Sequence, residues 1–169
     1  MFSLASKLVV VAFLAGTFVF SACGTEQSTR IIVVVQTDVP TQINRIQLNA
    51  QNLLSGAFET GDIIQPEWNG AGCGSFIVAA REGLERAELS IELIATGPST
   101  MITREIRTKF TPNVNQALYI ELPKSCDGIS CSPSNTCTEN GCESSQISTD
   151  VLREVELGAE FAAFTKCSP

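Results

Sequence analysis

The chain has 169 residues, with eighteen Asp and Glu against eleven Lys and Arg, a net charge of −7, seven cysteines and no histidine. No basic cluster offsets the acidic balance, so a nucleic-acid partner, whose phosphates need Lys and Arg, is not expected. Without histidine, Ser-His-Asp and Cys-His nucleophiles and every His-containing zinc site fall away, and no motif points to a cofactor or a metal.

Residues 1–7 carry one positive charge and no acid, and residues 8–20, LVVVAFLAGTFVF, are apolar throughout. A helix needs about 20 residues to cross a bilayer, so this run is too short for a comfortable span. A charged leader, an apolar middle and small residues before a cut make residues 1–22 a signal peptide. Ser21 and Ala22 lead directly into Cys23. Phe20 to Cys23 resembles the lipobox of bacterial lipoproteins, with phenylalanine where leucine is usual. The resemblance implies that Cys23 is acylated, by palmitate among other chains, becomes the mature N-terminus and anchors the protein to a membrane. Gly24 in place of Asp implies the outer membrane of a diderm host. Setting Cys23 aside leaves six cysteines, an even set that suits a disulfide framework in an exported chain.

Residues 23–30 form a lipidated tether. Its seven residues after Cys23 reach at most about 25 Å at roughly 3.5 Å each, which keeps the folded part close to the membrane. Residues 31–124 then read as one β-sandwich. Ile31 to Val35 is a continuous β-branched run, expected to be a buried strand. From Ile46, apolar Ile46, Leu48 and Ala50 alternate with polar Arg45, Gln47 and Asn49, the period of a half-buried strand. Residues 56–74 are rich in Gly and Pro and read as a long loop, with at most a short strand at Ile63-Ile64. Residues 75–80 give another apolar run. Leu89, Ile91, Leu93 and Ala95 alternate with Glu88, Ser90, Glu92 and Ile94. Gly97-Pro98-Ser99 marks a turn, and Ile102, Ile106 and Phe110 share one parity with Arg104 and Thr108 between them. After Thr111-Pro112-Asn113, Leu118, Ile120 and Leu122 alternate with Ala117, Tyr119 and Glu121. Six or seven short strands punctuated by turns predict an all-β, antiparallel β-sandwich, immunoglobulin-like or transthyretin-like.

Residues 125–145 contain CDGISCSPSNTCTENGC, whose only large aliphatic residue is Ile129. Such a segment cannot build its own core and needs staples, each contributing about 2–4 kcal/mol. Four cysteines permit three pairings, among which spacing does not choose. Four thiolates on zinc are disfavoured by the export signal and by the lack of close Cys-x-x-Cys pairs. The segment resembles small EGF-like turns, which implies Cys126 with Cys137 and Cys131 with Cys142. Cys73 and Cys167 are then left for each other, tying the tail to the loop before the third strand. Strands followed by this segment are similar to predicted bacterial surface lipoproteins with a short sandwich and a cysteine-rich knot. That similarity implies an envelope protein and supplies no activity. Residues 146–169 form a tail, irregular or briefly helical after Ser148-Thr149-Asp150.

Glu59, Asp62 and Glu67 cluster near Trp68 in the Gly-rich loop and form the most site-like feature, a partner-binding groove with Trp68 as a stacking platform. The plainer account has Trp68 capping the core and the acids solvated. Glu88 and Glu92 flanking Ser90 suggest paired carboxylates, although outward strand residues of an acidic protein look the same. Asp127, Asn135, Glu139 and Asn140 are oxygen donors without the spacing of a calcium loop, and turn chemistry accounts for them. The expected function is a lipid-anchored envelope protein with a non-enzymatic binding or structural role, its partner an envelope protein or a glycan. The alternatives are an envelope hydrolase using the loop carboxylates and a disulfide-braced protein inhibitor.

Overall fold

The computed structural model describes residues 29–64, 72–80 and 83–155, with the backbone alone for 58–64. The leader, Cys23, Glu67, Trp68 and Cys167 lie outside the described residues. Among the described residues ten strands follow in order: β1 (Arg30–Thr37), β2 (Arg45–Asn52), β3 (Phe58–Ile64), β4 (Cys73–Ala79), β5 (Glu88–Thr96), β6 (Met101–Lys109), β7 (Asn115–Leu122), β8 (Asn135–Thr138), β9 (Gly141–Ser144) and β10 (Arg153–Glu154). They form sheet I, ordered β10-β7-β1-β4, sheet II, ordered β3-β2-β5-β6, and the β8-β9 hairpin.

The alternation written in the sequence becomes the core. Ile31, Val33 and Val35 of β1 and Leu118, Ile120 and Leu122 of β7 share one buried cluster with Ile46 and Leu48 of β2 and Ile91 and Leu93 of β5. Each such side chain, fully buried, contributes about 1.5–3 kcal/mol of transfer free energy. Strand β1 pairs antiparallel with β4 and parallel with β7. Its uninterrupted β-branched run is what a strand with two dry faces needs, since Ile32 and Val34 on the other face are also buried.

The region read as a long loop contains β3, a strand of seven residues paired with β2 along its length. Gly61 sits opposite Leu48 in that ladder, and an edge strand tolerates the glycine that had suggested a break. The β2-β3 turn is built by Asn52, whose Oδ1 accepts hydrogen bonds from the amides of Leu54 and Ser55, each at 3.0 Å.

Two disulfides brace the cysteine-rich segment, Cys126–Cys137 and Cys131–Cys142, each with Cα atoms 5.7 Å apart. They are the pairs that the EGF-like resemblance implies. The segment is more than an appendage, because Cys126 and Cys137 belong to the main core cluster. It seals the outer edge of β6, the last strand of sheet II. The Met101 amide donates to Asp127 Oδ1 at 2.8 Å, the Glu105 amide to Thr136 Oγ1 at 3.0 Å and the Arg107 amide to the Ser145 carbonyl at 2.7 Å. In return the Gly128 and Ile147 amides donate to the Met101 and Arg107 carbonyls at 3.0 and 2.9 Å. An unpaired edge invites pairing with another chain, and here side chains and loop amides occupy those groups. In the described part of the tail Ser148 caps a 3-10 turn over Thr149–Val151, and β10 then pairs with β7.

Candidate functional site

The outer face of sheet II and the cysteine-rich segment enclose a groove of about 360 Å³. Its floor comes from β5 and β6, where Glu92 and Glu105 are direct register partners. Two like charges side by side on neighbouring strands repel, and each carboxylate is held by separate donors. Asn49 Nδ2 donates to Glu92 Oε2 at 2.9 Å, with the Asn49 amide oriented by Gln47 Nε2 at 3.1 Å. Glu105 Oε1 accepts from Ser90 Oγ at 3.0 Å and from Arg107 Nε at 2.8 Å. The exposed lining is mixed: Met101 and Ile129, 57% and 48% exposed, supply apolar surface beside the exposed Ser130 and Asn135.

The hydrogen bond from Arg107, reinforced by the Ser90 hydroxyl and the guanidinium charge, holds Glu105 below the usual carboxylate range against the upward push of partial burial. Glu105 therefore remains an acceptor at neutral pH and is not poised as a proton donor. A concave surface that combines carboxylates with exposed apolar side chains suits a partner bearing hydroxyls, amides or ammonium groups.

Because the folded chain binds this proton less readily than the unfolded one, Glu105 adds stability above the ordinary carboxylate pKa of about 4.3. That contribution is lost as pH falls through the lowered folded value. Urea midpoints between about pH 5 and about pH 3 are expected to fall less steeply in Glu105→Gln than in the wild type, by a few tenths of a kcal/mol at most for so exposed a pair.

The wall of the groove is anchored by Thr136, 4% exposed, whose hydroxyl accepts the Glu105 amide. Thr136→Val keeps the shape and deletes the acceptor, stranding a covered amide, so a loss of about 1–2 kcal/mol is expected. Thr136→Ser, which keeps the hydroxyl, should lose less than about 1 kcal/mol. Equilibrium unfolding of the two variants separates the hydrogen bond from the methyl.

Arg104 lies on the opposite, inward parity of β6 and donates from Nη1 to the Glu121 carbonyl at 2.6 Å. Burial pushes its guanidinium pKa down, and the carboxylates of Glu121 and Glu143 push it up.

Of the residues expected to bind a partner, Glu59 and Asp62 lie on β3 rather than in a loop, because the β2 edge gives that backbone a ladder to join. Glu59 pairs with Ala50 and Asp62 with Gln47, register positions of opposite parity. Glu67 and Trp68 lie outside the described residues. Glu92, read as an outward carboxylate near Glu88, pairs instead with Glu105, while Glu88 pairs with Lys109. Asp127 caps the β6 edge, and the Asn140 amide donates to Thr138 Oγ1. Among the described residues no three His, Cys, Asp or Glu side chains come together as a metal site. Sequence reasoning missed Glu105, Thr136 and Ile129, whose meeting depends on the β5-β6 register and on where the cysteine-rich segment docks.

Cys73 is disulfide-bonded. The other four described cysteines pair among themselves, so its partner is outside the described residues. No known protein family, curated protein or solved structure matches this chain.

Proposed function

We propose that this is an exported protein, lipid-anchored to the cell envelope through Cys23 and most consistent with the outer membrane, whose folded domain has a non-enzymatic binding or structural role. The observation that carries the proposal is the use of cysteine. Five described cysteines are disulfide-bonded, which fits an oxidising compartment, and the odd Cys23 follows an apolar run and two small residues. Two acyl chains give stable anchoring where a single chain is marginal, each buried methylene contributing about 0.8 kcal/mol.

The groove between sheet II and the cysteine-rich segment is the surface offered to an envelope protein or a glycan. Glu92 and Glu105 accept donors there, and Met101 and Ile129 supply apolar contact. The test is the intact mass of protein extracted from membranes, before and after reduction. A chain beginning at Cys23 with added acyl mass, gaining six hydrogens on reduction, supports the proposal. A chain with no acyl mass sinks the anchor.

A further inference from the structure

Sheet I has a second dry face. Ile32 and Val34 of β1 and Ala117 of β7 point away from the core, yet they are 1%, 4% and 0% exposed. With Cys73 and Val155 they make a buried cluster separate from the sandwich core. The outward residues of sheet II at comparable central positions, Gln47, Asn49, Ser90 and Glu92, are only half-buried. All five members of the second cluster belong to sheet I or to the residue that follows β10, so no buried apolar residue from another described element joins them.

The dry positions form a diagonal. Val155, whose amide bonds the Asn115 carbonyl, lies beyond β10 at the level of Arg30. Ala117 is level with Ile32, Val34 is two residues further along β1, and Cys73 on the opposite edge strand is level with Gln36. Off the diagonal the same face opens to water: Ile77, level with Ile32 but on β4, is 49% exposed, and Tyr119, level with Val34 but on β7, is 46% exposed. A broad layer or a flat dimer contact would cover these two as well. A single narrow segment running corner to corner covers the diagonal alone.

One end of the diagonal names the segment. Val155 is where the described residues stop, and Cys73, at the other end, is bonded to a cysteine outside the described residues. The twelve residues from 156 to 167 hold Leu157, Phe161, Phe164 and Cys167 at intervals of four, three and three, one stripe of a helical period. The diagonal spans about 25 Å, from strand rise and spacing. Twelve residues cover about 18 Å as a helix, and a disulfide adds about 5.5 Å between Cα atoms.

We propose that residues 156–167 lie diagonally across the outer face of sheet I, with Leu157, Phe161 and Phe164 over Ala117, Ile32 and Val34, and with Cys167 bonded to Cys73. The strap gives sheet I a third layer and clasps its two edge strands together. The choice of Cys167 over Cys23 as the partner of Cys73 rests on the lipid-anchor reading; the diagonal itself does not.

Two measurements on the unreduced wild-type protein test this. Trypsin cutting after Arg45, Arg81 and Lys166 is expected to release residues 46–81 linked to residues 167–169 as one mass that splits on reduction. Nuclear Overhauser contacts are expected between the rings of Phe161 and Phe164 and the methyls of Ile32 and Val34. Cys73 linked to Cys23 or to another copy's cysteine overturns the strap, as do Ile32 and Val34 methyls that contact residues 1–28 or a second chain instead. A Cys73–Cys167 link with no acyl group on Cys23 leaves the strap standing and removes the anchor. An acylated Cys23 with Cys73 bonded elsewhere does the reverse.

Discussion

Replacing Cys126 and Cys137 together by serine is expected to lower stability by about 4–5 kcal/mol, and replacing Cys131 and Cys142 by about 3 kcal/mol. Both disulfides join residues eleven apart, so both restrict the unfolded chain equally, by about 3 kcal/mol on a chain-entropy estimate. The difference comes from the surroundings. Cys126 and Cys137 are 1% and 4% exposed in the main core, and serine at these positions places two hydroxyls among aliphatic neighbours, for roughly another 1–2 kcal/mol. Cys142 is exposed and Cys131 half-buried, so serine meets water there. The core pair also holds the segment that seals β6, so its loss frees the Met101, Glu105 and Arg107 amides and makes the variant prone to edge pairing. Urea midpoints for the two double variants give the comparison directly. Equal losses would mean that Cys126 and Cys137 do not contribute as core residues.

That result bears on what the sequence makes legible. The apolar run of β1 and the alternation of β2 and β5 announce the sandwich, because side chains repeat every second residue whatever the strand order. The parallel pairing of β1 with β7 leaves no such trace: Arg30 and Asn115 are neighbours only through the whole intervening chain. Glycines at 56, 61, 70, 72 and 74 suggest a loop, yet β3 forms because the edge of β2 supplies a ladder that outweighs local propensity. The cysteine-rich segment looks coreless because it holds one aliphatic residue. Its cysteines, small and apolar themselves, enter the core of the sandwich. The candidate groove was least visible of all, since Glu92 appears in the sequence only as an outward carboxylate and Glu105, Thr136 and Ile129 meet it by tertiary placement.

Gly97→Ala is expected to cost about 3 kcal/mol or more, the top of the range for overpacking. The sequence marks Gly97 as a turn residue, and it does close the β5-β6 hairpin, its amide donating to the Thr100 carbonyl at 2.8 Å. The stronger constraint comes from another part of the chain. A Cβ on Gly97 would fall 1.7 Å from the Gln42 carbonyl oxygen and 2.8 Å from its carbon. Backbone cannot swing aside as a side-chain tip does, so the 3-10 turn over Pro40–Gln42 or the hairpin must move. Either shift strains the contacts next to it: the Asn44 amide bonds the Thr96 carbonyl at 2.8 Å, and Ile43 is fully buried in the core. Gly56 supplies the control. It has φ +68° with nothing within 4 Å of an added Cβ, so Gly56→Ala meets only the left-handed backbone penalty of about 1–2 kcal/mol. A Gly97→Ala loss no larger than that of Gly56→Ala, measured by the same denaturant titration, would show that the two backbones are not in contact at Gln42.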